Sequence, residues 1–147
     1  MVSQLPHQIA ERELAIIRSR LGWDGDELET IIVSEAMGSG NVLLLSIDSE
    51  HVTEVFTGFG RRGVRAETVA ERAADEAQAY ERAGVPVGPY LADQLLLPLA
   101  LAGGGAFRTM PLSLHATTNF EVIRLFLDVS IDVARVSETV VDVTVRR

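Results

Sequence analysis

The sequence predicts a chain of mixed helices and strands, of the α+β or α/β class. Two observations lead to this prediction. Apolar residues recur at helical spacing in four segments, and short runs rich in Val, Ile and Thr lie between them as strands do. The predicted order is αβββα, a linker, and then αβαββ, without an internal sequence repeat. A length of 147 residues is sufficient for one domain or two small ones.

Two helices flank three strands in the first part of the chain. Residues 9–21 and 66–82 carry apolar stripes at helical spacing, and a glycine follows each segment, as is usual at a helix C-terminus. Residues 29–34, 42–47 and 52–59 are predicted strands, and the last two are expected to form a hairpin.

A linker rich in glycine and proline, residues 84–89, separates this part from the rest. Residues 90–102 then form an almost wholly apolar helix, which we expect to be buried on most sides. The remaining predicted elements are a short strand, a helix and a terminal hairpin, at residues 106–110, 118–126, and 129–136 with 139–145.

The composition excludes several kinds of chemistry. All 13 basic residues are arginines, and the chain contains neither lysine nor cysteine. Lysyl intermediates, a P-loop lysine, thiolate nucleophiles, disulfides and cysteine-ligated zinc are therefore impossible. The covalent nucleophiles that remain are three histidines, the hydroxyls and the carboxylates.

Charge and hydropathy limit the kinds of partner that we expect for this chain. Thirteen basic residues against 21 acidic ones give a net charge of −8, which argues against strong general binding of nucleic acid by this chain alone. The dense basic group, Arg61, Arg62 and Arg65, is more typical of a solvated loop. No apolar stretch approaches the roughly 20 residues that span a bilayer, and no secretory signal is visible, so we expect a cytoplasmic location and no membrane partner.

A glycine motif follows the third predicted strand. Gly58, Gly60 and Gly63 match G-x-G-x-x-G, which in dinucleotide-binding folds lets the backbone approach a pyrophosphate. The helix that follows leads to a linker and a second helix rather than to a parallel strand. A plain turn is therefore favoured, and a dinucleotide-dependent oxidoreductase is a weaker alternative.

Three polar residues share one face of the apolar helix after the linker. Tyr90, Asp93 and Gln94 have the spacing i, i+3, i+4. Buried polar groups are costly unless they are paired or functional, so the cluster indicates a site in which Tyr90 stacks on a base and the other two form hydrogen bonds. An exposed first helical turn, where an aspartate is favourable, explains the pattern equally well.

His115 lies between a predicted strand and a predicted helix. A lone histidine in a loop is most often an ordinary polar residue. This one precedes a helix N-terminus, where free backbone N–H groups can hold a phosphate, and an uncharged imidazole there could act as a base, a ligand or a nucleophile. His7 and His51 have no comparable surroundings.

Four segments together resemble one family, the RNA 3′-terminal phosphate cyclases. They follow one another in the order of that family and cover about the second half of one of its members. The matching segments are LPHQIAERE at residues 5–13, VTEVF at 52–56, YLADQLLLPLALAG at 90–103 and HATTNFEVI at 115–123.

The resemblance implies an α+β fold. Residues 1–83 would be a truncated thioredoxin-like insert domain. Residues 84–147 would be the last βαβαββ unit of the cyclase domain, lacking its first strand.

The resemblance also implies a reaction, the ATP-dependent conversion of an RNA 3′-phosphate to a 2′,3′-cyclic phosphate with Mg²⁺ or another divalent metal. His115 matches the histidine that becomes adenylylated, and Tyr90, Asp93 and Gln94 match the nucleotide pocket. No metal ligand is assigned to this chain. Cyclase-like proteins of ribosome assembly lack the histidine, so its presence favours the catalytic branch.

The family's glycine-rich signature, most of its phosphate-binding residues and a metal-contacting glutamate are not matched here. We therefore expect the isolated chain to have weak or no turnover. Its expected partners are RNA with a 3′-phosphate end and either the missing N-terminal half or a second copy, since a shortened sheet exposes an edge. The alternative is a catalytically inactive, cyclase-like interaction module in RNA processing.

Overall fold

A computed structural model describes residues 1–147 and divides them into two compact units. Unit 1 comprises Met1–Ser49 and Val55–Ala79, and unit 2 comprises Glu50–Glu54 and Tyr80–Arg147. The structure contains four α-helices, one short 3-10 helix and two three-stranded sheets. The prediction of α+β structure is confirmed. None of the helices combines the length and the apolar character that a membrane crossing needs.

Unit 1 is built on a sheet with the strand order β1-β2-β3. Strand β1 is antiparallel to β2, with Val2 opposite Asn41. Its fully buried side chains include Ile17, Leu45 and Phe56, one from each of α1, β2 and β3. The elements are β1 (Val2–Ser3), α1 (Gln8–Leu21), the 3-10 helix (Gly25–Glu27), β2 (Gly40–Asp48), β3 (Thr53–Phe59) and α2 (Ala66–Ala83). The first two residues of β3 and the last four of α2 belong to unit 2.

The prediction of a strand over residues 29–34 is wrong. The segment forms only an isolated parallel bridge between Ile32 and Val2. Its neighbour β1 is two residues long, so the β-branched residues of this segment have no partner strand along which to extend. Ile31 and Ile32 are exposed as a result.

Unit 2 places two helices against a sheet with the order β4-β6-β5, in which both pairings are antiparallel. Before the first of these helices, Val87 forms an isolated parallel bridge with Thr109 of β4. The core is formed by Leu96 of α3, Phe120 of α4 and Val143 of β6, with their buried neighbours. The elements are α3 (Pro89–Leu101), β4 (Gly104–Thr109), α4 (Leu114–Phe126), β5 (Ser130–Arg135) and β6 (Val141–Arg146).

Helix α3 buries one side only, so the expectation that it is buried on most sides is wrong for this chain. Ala92, Leu96 and Ala100 are buried at helical spacing. On its other side and on α4, apolar side chains are exposed, among them Leu125 at 80% and Phe126 at 81%. We call five of the exposed apolar residues of α3 and α4 the apolar helix face: Leu97, Leu101, Val122, Leu125 and Phe126.

Candidate functional site

Helix α4 begins four residues earlier than predicted, and this changes the setting of His115. The helix starts at Leu114 rather than at Thr118 because Ser113 caps it, its Oγ accepting a hydrogen bond from the Ala116 N–H at 3.2 Å. The prediction that His115 lies in a loop before the helix is therefore wrong. His115 is the second residue of the first turn.

The imidazole of His115 is free. Its side chain is exposed and forms no hydrogen bond or ion pair. The first N–H groups of a helix lack acceptors within the helix, and the helix dipole favours negative charge at this end. An exposed nucleophilic ring therefore lies at a helix terminus suited to a phosphate.

The start of α3 is held by a buried carboxylate. Glu54 is 3% exposed, and its Oε1 accepts a hydrogen bond from the Gly88 N–H at 2.5 Å. Burial raises the pKa of the Glu54 carboxyl, and this hydrogen bond opposes the rise. A Cβ at residue 88 would lie 2.6 Å from the Glu54 Cδ, so the position requires glycine. This contact places the first turn of α3, which carries Tyr90.

The two helices are joined at the candidate site by Asp93 and Asn119. The Asn119 side-chain amide donates to Asp93 Oδ1 at 2.9 Å and to the Asp93 main-chain oxygen at 3.3 Å. Asn119 follows His115 by four residues and so lies one helical turn away on the same side of α4. Asp93 is thus brought to the neighbourhood of the turn that carries His115.

The sequence left two interpretations of Tyr90, Asp93 and Gln94, and the structure contains elements of both. Tyr90 and Gln94 are exposed at the beginning of α3, whereas Asp93 is half-buried and paired with Asn119. The role of Asn119 was not predicted. Its signals in the sequence are the i, i+4 spacing from His115 and its place in the family-like segment HATTNFEVI.

Comparison with known proteins identifies the family. A family model described as the insert domain of RNA 3′-terminal phosphate cyclase (RTC) matches residues 1–81. The chain belongs to the RNA 3′-terminal phosphate cyclase family. The resemblance drawn from the sequence is confirmed.

Curated proteins named RNA 3′-terminal phosphate cyclase are similar along nearly the whole chain. The one from Ectopseudomonas mendocina (strain ymp) is 46% identical over 147 residues, which are 100% of this chain and 43% of the relative. The one from Ralstonia nicotianae is 48% identical over 134 residues, 90% of this chain and 38% of the relative. The one from Koribacter versatilis is 42% identical over 134 residues, 91% and 38% respectively. The chain spans less than half the length of these cyclases.

The divalent metal expected for a cyclase has no centre among this chain's own residues. No group of three or more His, Cys, Asp or Glu side chains is arranged to hold a metal ion. Asp93, the carboxylate of the candidate site, is engaged by the amide of Asn119 instead.

Close packing explains the glycine motif at the end of β3 in this cyclase-family chain. A Cβ on Gly58 would lie 2.9 Å from Val69 of α2, and one on Gly60 would lie 1.8 Å from the Asn41 side-chain oxygen. Gly63 adopts a φ of 82°, which favours glycine. The motif is a close-packed turn beside a sheet whose β1–β2 pairing is antiparallel, the interpretation that the sequence favoured.

Proposed function

We propose that this chain is the C-terminal portion of an RNA 3′-terminal phosphate cyclase and that His115 carries AMP during the reaction. The observation that carries this proposal is the free imidazole of His115 in the first turn of α4, one turn from the Asn119–Asp93 pair. Because the chain lacks lysine and cysteine, histidine is also the nitrogen nucleophile that its composition leaves for adenylyl transfer.

The reaction would proceed in three balanced displacements. A ring nitrogen of His115 attacks the α-phosphorus of ATP, and a P–N bond forms as the bond to the departing pyrophosphate breaks. An oxygen of the RNA 3′-phosphate next attacks the same phosphorus and releases the histidine. The neighbouring 2′-hydroxyl then attacks the activated RNA phosphate, loses its proton and expels AMP. This last step is intramolecular and gains from proximity.

The residues of α3 would bind the nucleotide. Tyr90 offers a partly exposed ring on which adenine can stack, and Gln94 offers donors and an acceptor to the base or ribose. Asn119 would act as a positioning residue, since it holds Asp93 toward α4. Charge that builds on the pyrophosphate would be met by a divalent ion and arginines supplied largely from outside this chain.

The finer fold is part of the same proposal. Residues 1–83 would be a truncated thioredoxin-like insert domain, and residues 84–147 the last βαβαββ unit of the cyclase domain, lacking its first strand except for one isolated bridge. The bridge of Val87 with Thr109 supports the second assignment, because it is parallel to β4 and precedes α3 as the first strand of such a unit would. We place the protein in the cytoplasm, with RNA carrying a 3′-phosphate as its substrate.

The site would be completed by a further part of a cyclase. The apolar helix face is exposed on the same two helices that carry Tyr90 and His115, and relatives have more than half of their length outside the matched region. We propose that residues from that remaining length cover this face. Self-association through it is the competing outcome.

Protein adenylylation tests the proposal directly. The chain is incubated with α-labelled ATP and Mg²⁺, alone and with the remaining portion of a relative added. Label should be retained on the protein, and His115→Ala should abolish it, whereas the matched variants His7→Ala and His51→Ala should retain it. Label that persists in His115→Ala would overturn the assignment.

An inactive interaction module in RNA processing is the second candidate. The observation that favours it is the exposed apolar helix face, which suits contact with another protein segment. It predicts no label on His115 even when the remaining portion is present, together with stable binding between the two portions.

A further inference from the structure

The arginines of unit 1 fall into two groups. Most of them are ion-paired: Arg12 with Glu67 at 2.6 Å, and likewise Arg18, Arg20 and Arg65 with neighbouring carboxylates. Arg61, Arg62 and Arg72 are exposed, and their guanidinium groups form neither an ion pair nor a hydrogen bond. These three unpaired cations belong to a chain whose net charge is −8.

These three residues line two neighbouring clefts of unit 1. Arg61 and Arg72 line a cleft of about 200 Å³, together with Phe59. Arg61 and Arg62 line a second cleft of about 320 Å³, with the side chain of Asn41. Arg61 is common to both, so the clefts form one continuous surface.

An exposed aromatic ring belongs to the same surface. Phe59 ends β3, and it is 63% exposed although it is among the largest apolar side chains of the chain. Its neighbour Phe56, three residues earlier on the same strand, is fully buried. Phe59 is therefore not needed for the core of unit 1, and its ring is open to a ligand.

Acidic groups do not neutralise this surface. One carboxylate lines each cleft: Glu76 the smaller one and Glu13 the larger one. Glu13 is buried and is engaged by the Asn41 side-chain amide. The unpaired guanidinium groups thus outnumber the exposed carboxylate.

We propose that this surface of unit 1 binds single-stranded RNA, with Arg61, Arg62 and Arg72 contacting phosphates and Phe59 stacking on a base. A positive groove that follows the backbone, combined with an aromatic ring, is the usual way in which proteins hold single strands without sequence preference. The choice of RNA rests on the proposed function, since the relatives are named for an RNA substrate.

The surface differs from the solvated loop that the sequence favoured. Arg65, one of the three clustered arginines, is paired with Glu67 at 3.4 Å and does not take part. Phe59, which directly precedes the cluster, and Arg72, which lies on α2 beyond it, take part instead. The binding surface is therefore assembled by the fold of β3 and α2 and is not visible as a run of basic residues.

Fluorescence anisotropy with a labelled oligouridylate of about ten nucleotides, a length within the site size of single-strand binders, tests the proposal on the full chain. The oligonucleotide ends in a 3′-hydroxyl and no ATP is added. The double variant Arg61→Gln/Arg62→Gln should weaken binding and reduce the slope of log K against log salt by about 1.4, since each lost phosphate contact contributes about 0.7. Phe59→Leu should weaken binding about tenfold.

The matched controls are Arg147→Gln and Val133→Ala, which remove an exposed arginine and shorten an exposed apolar side chain of unit 2. Both should bind as the unaltered chain does, and circular dichroism should show the same melting temperature for all variants. An unchanged salt slope in the double variant would overturn the proposal. Equal binding of heparin, with no effect of Phe59→Leu, would also overturn it, because the surface would then be a general polyanion site.

The outcome is independent of the proposed reaction. Because the probe has no 3′-phosphate and no nucleotide is present, RNA binding is measured whether or not His115 accepts AMP. Loss of RNA binding with intact labelling of His115 would remove this inference and leave the proposed function standing. RNA binding without labelling of His115 would leave this inference standing and remove the proposed function.

Discussion

Asn119 donates two contacts from one side-chain amide to Asp93, at 2.9 Å to Oδ1 and 3.3 Å to the main-chain oxygen, and so ties α4 to α3. Asn119→Ala removes the donor and leaves a half-buried carboxylate unsatisfied. We expect unit 2 to lose about 1–3 kcal/mol of stability, measured by urea denaturation with circular dichroism. Gln94→Ala, an exposed change one residue from Asp93, should stay within about 0.5 kcal/mol. Equal midpoints for the two variants would contradict this role.

The residue that caps α4 gives a second prediction about stability. Ser113 Oγ accepts from the Ala116 N–H, so Ser113→Ala should cost about 1 kcal/mol of unfolding free energy. Ser113→Asp keeps an acceptor at the cap and adds negative charge at the helix N-terminus, and it should preserve stability. If Ser113→Asp is as unstable as Ser113→Ala, the cap is not what begins this helix.

Glu13 should make the stability of unit 1 depend on pH. Burial raises the pKa of its carboxyl from 4.5 to about 7, although Asn41 donates a hydrogen bond to it at 2.5 Å. The folded state therefore keeps a proton that the unfolded state releases, and stability falls as pH rises from about 4.5 to about 7. Glu13→Gln should flatten this fall. The fluorescence of Trp23, the single tryptophan, can follow unfolding because Trp23 lines the same cavity as Glu13.

Glu67 provides the matched control for that experiment. The Arg12 guanidinium lowers the pKa of the Glu67 carboxyl to about 2, so its contribution is present above pH 4.5 and is lost as pH falls toward 2. Glu67→Gln should change how stability depends on pH below 4.5. It should leave the fall in stability between pH 4.5 and 7 intact. If stability still falls between pH 4.5 and 7 in Glu13→Gln, another titratable group causes the fall.

Gly88 is expected to tolerate no side chain. A Cβ there would lie 2.6 Å from the Glu54 Cδ, and Glu54 cannot withdraw without breaking its buried hydrogen bond to the Gly88 N–H. Gly88→Ala should therefore cost about 1–3 kcal/mol, in the range of other overpacking changes, measured by thermal unfolding. Gly38→Ala is the control, since a Cβ at residue 38 meets no atom within 4 Å. Similar melting temperatures for both variants would contradict the tight contact.

The helices of unit 1 could be predicted from the sequence. Helices α1 and α2 start or end within one residue of their predicted limits, because an apolar stripe marks each body and a glycine follows each end. The assignment of His115 as the nucleophile rests on the resemblance to a family motif and stays a prediction. These features depend on residues that are close in the sequence.

The features of the fold and of the candidate site that could not be predicted depend on contacts between residues distant in the sequence. The strand expected at residues 29–34 needs a partner strand, and β1 supplies only Val2 and Ser3. The Asp93–Asn119 contact joins residues 26 positions apart, and nothing in the spacing specifies which side of α3 meets α4. The exposure of Phe59 could not be predicted either, because Phe56 and Phe59 look alike in the sequence and only the fold decides which one is buried.

The strand order β4-β6-β5 has a consequence for synthesis on the ribosome. Strand β6, Val141–Arg146, follows β4 and β5 in the chain and is central in the sheet, so until it arrives β5 has no partner strand and β4 has only the isolated bridge to Val87. While it is still inside the exit tunnel, both strands expose open edges, a state that favours aggregation. The nascent sheet of unit 2 is therefore completed only after the codons of β6 have been translated. A premature stop before residue 141 would remove the one strand that both others need.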